Sequence, residues 1–214
     1  MAKPPEVEFF YDCSSPWTYL GFTRIIPMMA SLNLPIRFRP VLVGGIFNAV
    51  NQDLYSSRKA MLSAENSARL NYYIKDLSDW AKLCGLTIVS PRNHPISSVK
   101  AMRGAFFAEE QGLLLPYSQA TFETYWGGEN SDITNDDVLA GICVRVGLDA
   151  EGFFNAINNQ QYKDLLRANT DEAIARGAYG SPSIFINGDD MYFGNDRLPL
   201  VEHRLRELLV GPSN

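Results

Sequence analysis

Strand-forming sequence in this chain is confined to its two ends, and the stretch between them reads as helix. Val7, Phe9 and Tyr11 alternate with Glu8, Phe10 and Asp12, a short aromatic run with the two-residue period of a strand. The run stops at Asp12-Cys13-Ser14-Ser15-Pro16. Ser or Asp followed by Pro is a helix-start pattern, because Pro is pre-set for the first helical position and lacks only an N–H that has no partner there. Trp17, Tyr19-Leu20, Ile25-Ile26 and Met28-Met29 then predict a buried helix ending near Asn33-Leu34-Pro35. Ile36 to Leu42 predicts a second strand, closed by Gly44-Gly45. Strand, helix, strand with short connections is a βαβ unit and places the chain in the α/β class.

From Ser57 to Gly85 apolar residues recur at helical spacing, and after a Pro-rich loop at Ser90–Pro95 the pattern resumes at Ser97–Gln111, Tyr117–Trp126, Asn135–Val146 and Ala150–Asn158. Thr134-Asn135-Asp136-Asp137 and Asp149-Ala150-Glu151 are cap patterns. A further helix with Leu165, Leu166, Ala173 and Ala175 stops at Gly177. Ser181-Pro182 then precedes the strand Ser183–Ile186, Asn187-Gly188-Asp189 is a hairpin turn, Met191–Phe193 is the return strand, and Asp196 opens a last helix. A βαβ unit followed by ββα is how a thioredoxin-like sheet is assembled. The expected architecture is α/β: a thioredoxin-like domain from residues 1–45 plus 165–214, with 46–164 a large all-helical insertion domain. Ser181-Pro182 stands where that fold carries a cis proline, so a cis bond is expected there.

The chain has 214 residues, of which 46% are hydrophobic and 12% aromatic, enough to build a core and exclude wholesale disorder. Its formal charge of −5 and lack of any Lys/Arg cluster argue against a nucleic-acid partner. Three cysteines without a C-x-x-C and only two histidines argue against a disulfide framework and against a structural metal site. No apolar run approaches the length of a membrane span, and residues 1–8 lack the apolar core of a secretory signal. The expectation is a cytoplasmic protein with no membrane partner.

Chemistry concentrates at Ser15-Pro16-Trp17-Thr18, the strand-to-helix turn. In redox thioredoxin folds this turn carries C-x-x-C, with the first thiol acidified by the helix N-terminus. Ser and Thr in those places abolish dithiol redox chemistry. A hydroxyl there can still donate to a thiolate that a ligand brings, or Ser15 can simply cap the helix; both readings stand. Cys13, Cys84 and Cys143 read as core, as do Tyr72, Tyr73 and Trp126 by their spacing. His94, in a loop between Asn93 and Pro95, is a candidate acid/base or carboxylate partner. Arg58, Lys59 and Arg92 are candidates for a substrate carboxylate or solvated surface charges.

Val7-Glu8-Phe9-Phe10-Tyr11-Asp12 with Ser15-Pro16 and Tyr19-Leu20-Gly21-Phe22 resembles the opening of kappa-class glutathione transferases and of the related 2-hydroxychromene-2-carboxylate isomerases, in the DsbA-like branch of the thioredoxin superfamily. Arg39-Pro40 with Gly44-Gly45-Ile46-Phe47, Gly177 to Ser183, and Phe193-Gly194-Asn195-Asp196-Arg197 resemble later motifs of the same family, in the same order. The resemblance implies glutathione as cofactor. Ser15 matches the catalytic serine that bonds the glutathione sulfur. Ser181 and Pro182 match the peptide that pairs with the cysteinyl part, and Asn195 and Asp196 the pair that holds the γ-glutamyl end. Asn51 matches a further contact, with Gln52 the alternative because this loop is one residue shorter. The implied activity is that of the isomerase, acting on a small aromatic or electrophilic substrate by reversible thiolate addition, in a homodimer. A kappa-class transferase or peroxidase is the alternative, and a non-redox DsbA-like peptide binder is the alternative from another class.

Overall fold

The structure is a computed structural model that describes residues 3–50, 52–53, 68–128 and 131–210. Four strands, β1 (Val7–Tyr11), β2 (Arg37–Pro40), β3 (Ser183–Ile186) and β4 (Asp190–Phe193), make one mixed sheet of order β2-β1-β3-β4. β1 runs parallel to β2 and antiparallel to β3, with Val7 opposite Ile186 and Phe10 opposite Ser183. Both ends of the chain therefore meet in one sheet, as the strand patterns predict. The turn between β3 and β4 has left-handed backbone at Asn187 (φ 51°) and Gly188 (φ 99°), the conformation that Asn-Gly supplies at low cost.

Every residue of β1 is buried, because helices cover both faces. The described helices are α1 (Pro16–Ser31), α2 (Val43–Val50), α3 (Ala68–Leu83), α4 (Val99–Glu110), α5 (Leu114–Trp126), α6 (Asp136–Val146), α7 (Ala150–Asn158), α8 (Gln160–Ala175) and α9 (Leu198–Val210). On one face Phe9 and Tyr11 meet Phe22 of α1, Phe38 of β2 and Phe122 of α5 in a ring cluster with centroids 5.2–6.4 Å apart. The helical middle thus shares its core with the sheet. On the other face Phe10 packs with Phe185, Val41, Ile46, Ala173 and Ala178.

At the start of β1 this second face carries a charged network. Arg39 bonds Glu8 and Glu172 and donates to Asn169 Oδ1 at 3.1 and 2.7 Å. Arg176 bonds Glu8 at 2.6 Å, Glu172 at 2.8 Å and the Gly188 carbonyl at 2.6 Å. The network ties β1, β2, α8 and the hairpin turn together.

Several local expectations are corrected. Gly44-Gly45 does not close β2; both glycines lie inside α2. Two tertiary bonds start that helix in spite of its glycines: Val43 N–H donates to Asp12 and Leu42 N–H to Thr170 Oγ1. A Cβ on Gly45 would stand 3.2 Å from the Thr170 methyl, so the missing side chain lets α2 approach α8. Asp196 does not cap the last helix. It lies within a 3-10 turn, Asn195–Arg197, whose N-cap is Gly194 (φ 98°), and α9 begins at Leu198. Tyr72 is 65% exposed rather than core, whereas Trp126 is buried and Tyr73 packs edge-on against Trp17. Asn51, Arg58 and Lys59, with the start of the helical pattern from Ser57, lie outside the described residues.

Candidate active site

The end of β1 feeds directly into α1, and Ser15 is the N-cap of that helix. Its backbone is extended (φ −107°, ψ 122°), and its hydroxyl oxygen accepts from Thr18 N–H at 3.3 Å. The same hydroxyl donates to the Ser181 carbonyl at 3.3 Å. Ser15 therefore both caps α1 and faces the loop before β3. Its hydroxyl is half-buried at the positive end of a sixteen-residue helix, a place that favours an anion.

The Ser181-Pro182 peptide is cis. Thr18, fully buried, bonds the Ser181 hydroxyl at 2.8 Å, and that hydroxyl also accepts from Asp12 N–H at 3.1 Å. Gly21 lets the proline ring lie against α1: a Cβ there would come within 3.1 Å of Pro182 Cγ. Pro182 O in turn accepts from Gly194 N–H at 3.1 Å, which brings the Asn195–Arg197 turn to the same side. Asn195 is buried, and its backbone carbonyl and Oδ1 accept from Arg24 Nη1 at 2.7 and 2.9 Å. Trp80 of α3 lies under that guanidinium, 4.5 Å from ring centroid to Cζ. Asp196 is about half-exposed and pairs with Arg197 at 3.0 Å. Ser15, Ser181, Pro182, Asn195 and Asp196 are thus linked through consecutive contacts across α1, the proline loop and the turn before α9.

Three residues here were not singled out by the sequence as site residues. Asp12, at the end of β1, is fully buried and accepts from Ser14 N–H (2.9 Å), Val43 N–H (2.8 Å) and the Ser98 hydroxyl (2.9 Å). Burial pushes its carboxyl above the usual carboxylate range against the pull of those hydrogen bonds. Arg24 and Ser98 are the others. A carboxylate ending an apolar strand is the one local signal that pointed to Asp12; Arg24 and Ser98 have none. Cys13 is buried beside the turn, its thiol pushed well up by burial, and its carbonyl accepts from Trp126 Nε1 at 2.8 Å. His94 packs on Trp126 with centroids 5.1 Å apart, and its Nδ1 lies 3.0 Å from the Tyr125 hydroxyl. That places the loop histidine one indole away from the turn. Arg92 is exposed. No group of side chains able to hold a metal ion, and no helix long and apolar enough to cross a membrane, occurs among the described residues.

A family model for the DSBA-like thioredoxin domain matches residues 6–206. The chain belongs to that family. Within it, the chain is 27% identical over 203 residues to a 2-hydroxychromene-2-carboxylate isomerase of Pseudomonas putida, covering 94% of this chain and 95% of the relative. It is 28% identical over 219 residues to glutathione S-transferase kappa 1 of Homo sapiens, covering 98% and 94%. A solved 2-hydroxychromene-2-carboxylate isomerase superposes with a TM-score of 0.76 at 25% identity over 95% of each chain. The cytosolic disulfide reductase DsbM of Pseudomonas aeruginosa, solved with GSH, shares the DSBA-like fold with a TM-score of 0.63 at 16% identity, over 94% of this chain and all of that one. The relatives in sequence are isomerases and glutathione transferases, and the two solved structures share this chain's DSBA-like thioredoxin fold.

Proposed function

We propose that this protein is a glutathione-dependent isomerase of the 2-hydroxychromene-2-carboxylate isomerase type, acting on intermediates of aromatic degradation. The observation that carries the reading is the Ser15 hydroxyl, set at the start of α1 and 3.3 Å from the carbonyl that precedes Pro182. Glutathione supplies a thiolate nucleophile that adds reversibly to a conjugated carboxylate. Ser15 gives the sulfur the hydroxyl hydrogen that otherwise goes to Ser181, and the N-terminus of α1 adds its positive potential. Holding a thiol ionised two pH units below its ordinary pKa takes about 2.7 kcal/mol. One charge-assisted hydrogen bond and a helix terminus together provide that order of energy.

The remaining residues fit the tripeptide. The backbone at Ser181 and Pro182 holds the cysteinyl part. The half-exposed Asp196 carboxylate suits an ammonium group, and Asn195 is held in place beside it by Arg24. Asn51 joins the same set on resemblance. In this reading residues 1–45 and 165–214, with Asn51 of the insertion, bind glutathione, the helices of 46–164 shape the pocket for the second substrate, and the protein works in the cytoplasm as a homodimer.

The second reading is a kappa-class transferase or peroxidase, favoured by the 28% identity to the human kappa enzyme. It asks the same of Ser15. Steady-state turnover separates the two: the isomerase converts many substrates per glutathione, the transferase one. Titration with glutathione in a calorimeter tests both at once. No heat of binding would leave a peptide-binding protein using the groove beside Pro182.

A further inference from the structure

Three helix starts converge on the carboxylate of Asp12. Ser14, whose N–H bonds Oδ1 at 2.9 Å, stands immediately before the N-cap of α1. Val43, whose N–H bonds Oδ2 at 2.8 Å, is the first residue of α2. Ser98, whose hydroxyl bonds Oδ2 at 2.9 Å, is the N-cap of α4. The Ser98 side chain makes no bond to its own helix, and the residues before α2, Val41 and Leu42, have no side chain that can cap. One buried acid thus serves a turn, a loop and a distant helix. Its backbone completes the set: Asp12 N–H donates to the Ser181 hydroxyl, and Asp12 O accepts from Ser15 N–H at 3.2 Å.

No cation pairs with Asp12 among the described residues. The positive ends of the helices are what offset its charge. A plain structural plug in this place needs no carboxylate. Two backbone N–H groups on separate oxygens require an acceptor at both atoms, and an amide would turn its NH2 toward one of them. We propose that Asp12 is a positioning residue, fixing the Ser15 turn and the loop before Pro182 in the relative geometry that a thiolate needs. The proposal rests on the reading of Ser15 as the partner of a sulfur anion.

Its test avoids glutathione by building the thiol into the protein. In the S15C variant, the pH dependence of alkylation by iodoacetamide gives the pKa of the new thiol, with the parent protein supplying the background from half-buried Cys84. Two effects of adding D12N have opposite signs. Removing a buried negative charge lowers the thiol pKa. Releasing the donors that shape the turn raises it. Positioning predicts a rise of about one pH unit in S15C/D12N over S15C, a tenfold loss of thiolate at a fixed acidic pH. An unchanged or lower value overturns the proposal. Should D12N fail to fold, S98A in the same background removes one donor only; a smaller rise supports the proposal and no rise overturns it. Failure of the parent protein to bind glutathione in a calorimeter sinks the functional reading instead, and leaves the thiol measurement to decide on Asp12.

Discussion

The two ends of β1 bury a carboxylate each and treat it in opposite ways. Glu8, at the start, sits between the guanidinium groups of Arg39 and Arg176, with Glu172 closing the network. Asp12, just past the end, meets two backbone N–H groups and a hydroxyl and, among the described residues, no cation. An ion-pair network locks strands to α8 but surrounds itself with fixed charge. Hydrogen bonds from helix starts lock the other end without a guanidinium on its carboxylate among the described residues. Both ends are tied into the fold through their carboxylate, but among the described residues guanidinium groups hold Glu8 and none holds Asp12.

The comparison breaks first at Arg39. Arg39→Ala leaves buried Glu8 with Arg176 and takes one of two guanidinium groups from the part-exposed Glu172, and unfolding in urea should show a loss of about 3 kcal/mol, the lower end for a broken buried pair. Glutathione affinity of the folded fraction should stay put; a parallel fall in affinity would mean that the two ends are not independent. Ser15→Ala attacks the other end. Turnover should drop by the equivalent of about 2–3 kcal/mol while calorimetric affinity for glutathione changes far less, because the hydroxyl bond matters most to an anionic sulfur. Full activity in Ser15→Ala beside a dead Asp196→Ala would reduce Ser15 to a helix cap. Gly188→Ala forces a side chain onto backbone at φ 99° in the turn that receives Arg176. The cost in stability should be about 1 kcal/mol, read from the urea midpoint, with kinetics unaltered.

The smallest effect is in pH. Burial alone would raise the Glu172 carboxyl, yet the bonds from Arg39 and Arg176 bring it below the usual range. Its contribution to stability is present above the unfolded value near 4.3 and is lost as pH falls through the lower folded value. Asp12 is shifted upward, so the folded state holds its proton where the unfolded chain, near 3.9, has lost it. Stability from that site is greatest below the unfolded value and declines as pH rises through the folded one. Urea midpoints followed from neutral to acid should therefore lose their acid decline in Glu172→Gln and lose an acid gain in Asp12→Asn. Changes of slope relative to the parent that have the same sign in the two variants would contradict the contrast between the ends.

The strands and the hairpin were legible because each is written locally, in alternation and in Asn187-Gly188; the cis bond at Ser181-Pro182 was legible from its place before the hairpin, whereas the second cis bond, His94-Pro95, was not foreseen. Ser15 was legible for the same reason, as a cap residue before Pro16. What escaped is held by partners far off in the chain. Gly44-Gly45 reads as a break, and only the bonds from Leu42 to Thr170 and from Val43 to Asp12 make it helix. Thr18 reads as a replaced thiol, yet its hydroxyl locks onto Ser181, 163 residues on. Arg24 carries no local signal, and its partner Asn195 lies 171 residues away. Tyr72 fails differently: neighbouring Tyr73 takes the face that meets Trp17, which turns Tyr72 outward.

The pairing of β1 with β3 sets an order of events during synthesis. A ribosome delivers Ser15 166 residues before Ser181. At typical elongation rates that gap is roughly 8–33 s. Throughout it, β2 is the strand partner of β1 among the described strands already made, and the other edge of β1, the one destined for Ile184 and Ile186, is open to other chains. The nascent protein can bury the aromatic face of β1 under α1 and α5 early, but the pairing of Ser15 with Ser181 comes into being only when the last quarter of the chain arrives. Truncated translation products therefore contain Ser15 without a site around it.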